Sequence, residues 1–158
     1  MIMKYRLSAA LLLAVVIPAA ALRGQDAQKD LDKLQGTWVL TAMEKNGKAA
    51  PEYVVGKLTV TFKGETMVMD GPLAAAKGDE PVKPEFTVKL DPSKKPKAMD
   101  ATPLNGKFKG KTVLGIYQLE GEELKICLPK QGDKERPSDF KSPEGSDLAF
   151  MTFKRSKK

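Results

Sequence analysis

Histidine is absent from all 158 residues. Its absence takes away the commonest general base and the commonest metal ligand. Cysteine is almost absent: Cys127 stands alone, so neither an internal disulfide nor a multi-cysteine zinc site can form. A lone thiol of this kind reads as a small buried hydrophobe. Aromatic residues make up only 6% of the chain, and Trp38 is the single tryptophan. No apolar run reaches the ~20 residues that a membrane-spanning helix needs. The longest uncharged stretch, residues 7–22, is broken by Pro18.

That stretch carries a different signal. Lys4 and Arg6 precede it, and Ala19-Ala20-Ala21 ends it with small residues. Positive region, apolar region and small-residue site together read as a secretory signal peptide over 1–21. The expectation is an exported protein, periplasmic or extracellular, with a single domain over 22–158 and no transmembrane span in its mature form. Cleavage removes two of the 27 basic residues and none of the 20 acidic ones, so the net charge falls from +7 to about +5.

The rest of the chain is dominated by period-two alternation. A short helix is expected over 25–35, where Leu31 and Leu34 form a narrow apolar stripe among Asp26, Lys29, Asp30, Asp32 and Lys33. Gly36 stops it. Strands are expected over 37–44, 57–63, 66–70, 85–90, 97–102, 112–119, 123–128 and 148–154. The clearest is 57–63: Leu58, Val60 and Phe62 face one way and Lys57, Thr59, Thr61 and Lys63 the other. In 37–44, Trp38, Leu40 and Ala42 share a face. In 123–128, Leu124, Ile126 and Leu128 share the dry face and Cys127 joins the wet one. Two long loops, 71–84 and 129–146, are rich in Gly and Pro. About eight short, hairpin-linked strands behind one short helix imply an all-β fold, an antiparallel barrel or sandwich.

Gly36-Thr37-Trp38 resembles the Gly-x-Trp at the first strand of lipocalins. In that family the Trp plugs the closed end of the barrel and an Arg near the end of the last strand packs over it. Arg155 holds the matching position, so the resemblance implies structural roles for Gly36, Trp38 and Arg155. A wider resemblance runs through Leu34-Gln35-Gly36-Thr37-Trp38, Leu90-Asp91-Pro92-Ser93-Lys94-Lys95-Pro96-Lys97, Gly115-Ile116-Tyr117-Gln118-Leu119, Leu124-Lys125-Ile126-Cys127 and Arg136-Pro137-Ser138-Asp139-Phe140. Together these segments resemble a lipocalin-like family of small exported domains abundant in planctomycete bacteria. The resemblance implies a lipocalin-like barrel of about eight strands and lends no catalytic residue.

Several constellations carry possible chemistry. Leu58, Val60, Phe62, Met67, Met69, Phe86, Val88, Ile116 and Ile126, with Leu124 and Phe150, are the residues that would line a calyx for a small apolar or amphipathic ligand. The same residues would equally form a filled core. Met67 and Met69 suit copper(I) in principle, yet core packing accounts for them, and no metal or cofactor is expected. Lys94, Lys95, Lys97 and the tail 154–158 are basic, but no aromatic is interleaved for base stacking, so nucleic acid is not expected. Asp91, Asp100 and Asp139 are carboxylates in or near turns. With no His and no nucleophile motif, no catalytic residue is named and no enzyme is expected. Arg136 and Asp139 are positioned to tie the late loop across a barrel end, as a fixed plug or as a ligand gate. The expected function is that of a monomeric, non-catalytic binder of a small apolar molecule. The alternative is a structural or protein-interaction module of the cell envelope.

Overall fold

In the computed structural model, residues 19–72 and 83–157 are described. The expected leader, apart from its last residues, and most of the 71–84 loop lie outside them. One helix leads into nine strands: α1 (Ala19–Leu34), β1 (Gly36–Lys45), β2 (Lys48–Ala49), β3 (Thr59–Lys63), β4 (Thr66–Asp70), β5 (Glu85–Asp91), β6 (Ala98–Pro103), β7 (Val113–Glu120), β8 (Glu123–Leu128) and β9 (Ala149–Arg155). Every pairing is antiparallel, and β1 also pairs with β9, so the sheet closes on itself. The result is an eight-stranded barrel of β1 and β3–β9, with the two-residue β2 appended to β1. Closure removes the free edges that an open sheet would expose.

The helix starts earlier than the expected 25–35. Ala-Ala-Ala-Leu-Arg are strong helix formers, so the turn pattern continues back to Ala19. Leu31 and Leu34 bury against the barrel core, with Ala27 packed beside them. The helix therefore plugs one end of the barrel. Gly36 ends the connection with φ 104°, a conformation that a side chain rarely adopts.

One strand departs from simple alternation. In β1, Trp38 and Leu40 point inward, but the register shifts between Leu40 and Ala42. Thr41 is the extra residue, and its hydroxyl donates to the Thr152 carbonyl at 3.1 Å. The bulge turns the pleat by one residue. Met43, opposite Met151, faces the core in place of the expected Ala42.

Short connections gather at the helix end: 64–65, 92–97 and 121–122. The long ones, 46–58, 104–112 and 129–148, start from the other end, where β4 also ends and β5 begins.

Candidate functional site

The helix end is held by one arginine. The Arg155 guanidinium lies 4.2 Å from the centre of the Trp38 ring. It also donates to the carbonyls of Gln35 (2.8 Å) and Lys33 (2.6 Å), and pairs with Glu122 at 3.3 Å. Those carbonyls belong to the end of α1, where the last turn leaves acceptors without helical partners. Trp38 closes the same region by donating its indole N–H to the Leu34 carbonyl at 2.8 Å. Gln35 bonds both ways to Gly64, at 3.0 and 2.7 Å, and ties α1 to the β3–β4 turn.

A second anchor on α1 has no counterpart in the sequence reading. Asp30 sat among the polar residues of the helix, yet it is buried. Its Oδ2 accepts from the Tyr117 hydroxyl at 2.7 Å and from Lys97 Nζ at 2.6 Å. Burial works to raise the Asp30 pKa, but the Lys97 and Tyr117 hydrogen bonds and the Lys97 charge outweigh it and hold the carboxyl below its usual range. Burial first, then the Asp30 charge, push Tyr117 far above the ordinary phenol range.

Between these anchors and the far rim lies the expected calyx, and it is filled. Trp38, Leu40, Leu58, Tyr117, Leu124 and Phe153 are 0–1% exposed, as are Val60 and Phe62. Side chains with essentially no accessible area border no void large enough for water, whether external or enclosed. Met67, Val88 and Ile126 are nearly as buried. Met69 and Phe86 keep partial exposure at the rim. Among the described residues, one open cleft lies between α1 and β5 against the core residues Leu31, Val88 and Leu90, and another reaches the edge of Tyr117; neither is lined by Trp38, Leu40, Val60 or Phe62.

Two expected lining residues do not face the interior. Ile116 pairs with Cys127 and Ala98, while its neighbour Tyr117, opposite Ile126, takes the inward place. Phe150 pairs with Cys127 and likewise points outward. Antiparallel partners share a face, so Ala98, Ile116, Cys127 and Phe150 form one row across the outside of β6–β9. Three of them are nonetheless buried, because chain 129–148 lies over the row as a strap. Phe140 packs on Phe150 with ring centres 6.1 Å apart. The Cys127 thiol donates to the Lys141 carbonyl at 3.6 Å. Arg136 pins the strap through the Gly115 carbonyl at 2.5 Å and Asp100 at 2.7 Å. The segment thus covers a wall of the barrel, where the sequence suggested a barrel end, and Arg136 reaches Asp100 while Asp139 pairs with Lys141. Burial pushes the Cys127 thiol up to about 11.

The three carboxylates weighed as catalytic each have a structural partner. Asp91 accepts from the backbone and hydroxyl of Ser93, Asp100 holds Arg136, and Asp139 accepts from the Phe140 N–H as well as Lys141. Asp91 ends β5, Asp100 lies within β6 and Asp139 is on the strap. Among the described residues no group of three or more His, Cys, Asp or Glu side chains could hold a metal. Cys127, on the outer face, is also separated from the interior methionines Met67 and Met99.

The rim carries exposed apolar groups. Among the described residues, Tyr53 (58% exposed), Leu104 (41%) and Phe108 (36%) are the large apolar side chains left in solvent. All three lie on connections at the end opposite the helix plug. The sequence reading did not single them out. The available signal was Phe108 itself, an aromatic between Lys107 and Lys109 in an otherwise polar turn. Compared with protein-family models, curated proteins and solved structures, the chain matches none.

Proposed function

We propose that this protein is a non-catalytic interaction module. The filled barrel serves as a rigid mount, and the long connections at the end opposite α1 form the working surface. The observation that carries this reading is the contrast between interior and rim. Central side chains such as Trp38, Leu40 and Phe62 have no water-sized space beside them, whereas Tyr53, Leu104 and Phe108 remain in solvent at one end. The expected signal peptide and the resemblance to exported lipocalin-like domains support a reading in which that surface works in the cell envelope or outside it. A photo-crosslinking residue at Tyr53 or Leu104 should give discrete adducts in the native cells, and one at Glu122, on the helix end, should not. Adducts at neither rim position, or equal adducts at all three, would overturn the reading.

One observation favours small-ligand binding as a second reading. A cleft of about 370 Å³ between α1 and β5 has Ala27, Leu31, Val88 and Leu90 among its lining, with Gln28, Glu65 and Lys89 around it. Its size and mixed lining suit a small amphipathic molecule. Native mass spectrometry of the isolated protein would show such a ligand at one per chain, released by a bulky Ala27→Trp substitution.

A further inference from the structure

We propose that the β6–β7 connection, Leu104 to Lys111, is a docking tip for an anionic lipid surface. The inference rests on the interaction-module reading and names the partner of the same rim.

The tip is built to project. Leu104 N–H donates to the Glu85 carbonyl at 2.8 Å, and Gly110 N–H to the Pro103 carbonyl at 2.8 Å. Within the tip, Lys109 N–H donates to Gly106 and Lys111 N–H to Phe108, at 3.2 and 3.0 Å. Asn105 bonds to the Lys83 carbonyl and the Glu85 N–H, at 2.9 and 3.3 Å. Gly106 and Gly110 supply the positive φ values of 74° and 78° that the two bends need. The backbone is therefore ordered before any partner arrives, which lowers the cost of binding.

Its side chains divide into two kinds. Leu104 and Phe108 are exposed and apolar. Lys107, Lys109 and Lys111 share the tip, with the Lys107 and Lys111 ammonium groups 5.8 and 6.0 Å from the Phe108 ring centre. Among the described residues none of the three lysines has a carboxylate within ion-pair distance, although eight other ion pairs are formed. No Asp or Glu occurs between Asp100 and Glu120. An apolar point beside free cations matches a membrane interface: the aromatic and the leucine enter the acyl boundary while the lysines meet anionic headgroups. Nucleic acid fits less well, since Leu104 offers nothing to stack and only one aromatic is present. The other basic cluster, Lys94, Lys95 and Lys97, is at the opposite end, and there Lys97 is engaged by Asp30.

The test is vesicle co-sedimentation of the protein as its own cells process it, with the N-terminus read by mass spectrometry. Vesicles of phosphatidylglycerol with phosphatidylcholine are compared with pure phosphatidylcholine at about 0.1 M salt. The expected result is binding to the anionic vesicles only, weakened as salt rises. Each neutralised lysine should lower affinity about fivefold, so the triple change Lys107→Gln, Lys109→Gln, Lys111→Gln lowers it on the order of a hundredfold. Phe108→Ser should lower it about tenfold by removing the exposed ring. Lys94→Gln with Lys95→Gln should leave it unchanged, and all variants should melt like the wild type. Failure of the wild type to bind anionic vesicles, or equal binding by the tip variants, overturns the inference. So does loss of binding to a single-stranded oligonucleotide in the tip variants without any vesicle binding. Rim crosslinks to protein that persist in any of these cases would leave the interaction-module reading standing and remove only the lipid partner.

Discussion

Trp38→Ala tests the clasp between α1, β1 and β9. Trp38 is 0% exposed, and removing a buried aromatic of this size costs about 3–5 kcal/mol. Within that loss is the hydrogen bond to the Leu34 carbonyl at 2.8 Å, worth about 1 kcal/mol. Arg155→Ala removes the same ring's cation and two hydrogen bonds to the end of the helix. With the side chain 28% exposed, its cost is smaller, about 1–3 kcal/mol. The two residues touch, so their effects should not add: a double-mutant cycle should return about 0.5–2 kcal/mol of coupling. Urea unfolding followed by circular dichroism is the suitable assay, because the substitution removes the only tryptophan fluorophore. At roughly 2–4 °C per kcal/mol for a chain of this size, Trp38→Ala should lower Tm on the order of 10 °C. Should the single variant prove too unstable to fold, Trp38→Phe keeps most of the ring and should cost about 1–2 kcal/mol. A loss below about 1 kcal/mol for Trp38→Ala, or strict additivity with Arg155→Ala, would refute the reasoning.

Three further outcomes follow from other parts of the barrel. Cys127, buried under the strap with its pKa pushed up to about 11, should label slowly with iodoacetamide at neutral pH and rapidly in urea; equal rates would mean that the strap does not cover it. The Asp30 carboxyl is held below its ordinary value, so its contribution is present above about pH 4, the unfolded pKa, and is lost as pH falls through the lower folded value; Asp30→Asn should therefore melt lower than wild type at pH 7 and converge with it in acid, and a pH-independent gap would count against the Lys97–Tyr117 anchor. Arg136→Ala should cost about 1–2 kcal/mol, since it strands the Gly115 carbonyl and frees Asp100, and should speed proteolytic nicking within 129–148; unchanged nicking would show that Arg136 does not hold the strap.

The all-β barrel was legible because most strands carry their alternation plainly. Leu58, Val60 and Phe62 announce β3, and Leu124 and Ile126 announce β8. Alternation, however, reports only which residues share a face. It placed Cys127 on the outer side correctly, but could not show that a strap some fifteen residues downstream would dry that face. Ile116 and Phe150 were assigned inward for the same reason: an apolar residue beneath a strap looks like one in a core. The bulge at Thr41 is invisible in composition, since it arises from the pairing of β1 with β9. Asp30 read as a solvated helix residue because its partners, Lys97 and Tyr117, are far away in sequence. At the candidate site, the expected lining was found in and around the core, but whether a barrel is open or filled depends on the packed volumes of many side chains, which no single motif encodes. Leu104, Phe108 and Phe140 are each an apolar group in a polar loop, which marks such a residue without saying where it goes: Phe140 docks on Phe150, whereas Leu104 and Phe108 stay in solvent.

The central claim is that the barrel interior is filled and that interaction belongs to the rim. Xenon binding, followed by xenon NMR on wild type and on Phe62→Ala, tests it most directly. An apolar cavity of about 150 Å³ takes up xenon or benzene, and truncating the fully buried Phe62 should open one. The account predicts an interior xenon site in Phe62→Ala and none in the wild type. Xenon lodged among Trp38, Phe62 and Tyr117 of the wild-type protein would contradict it.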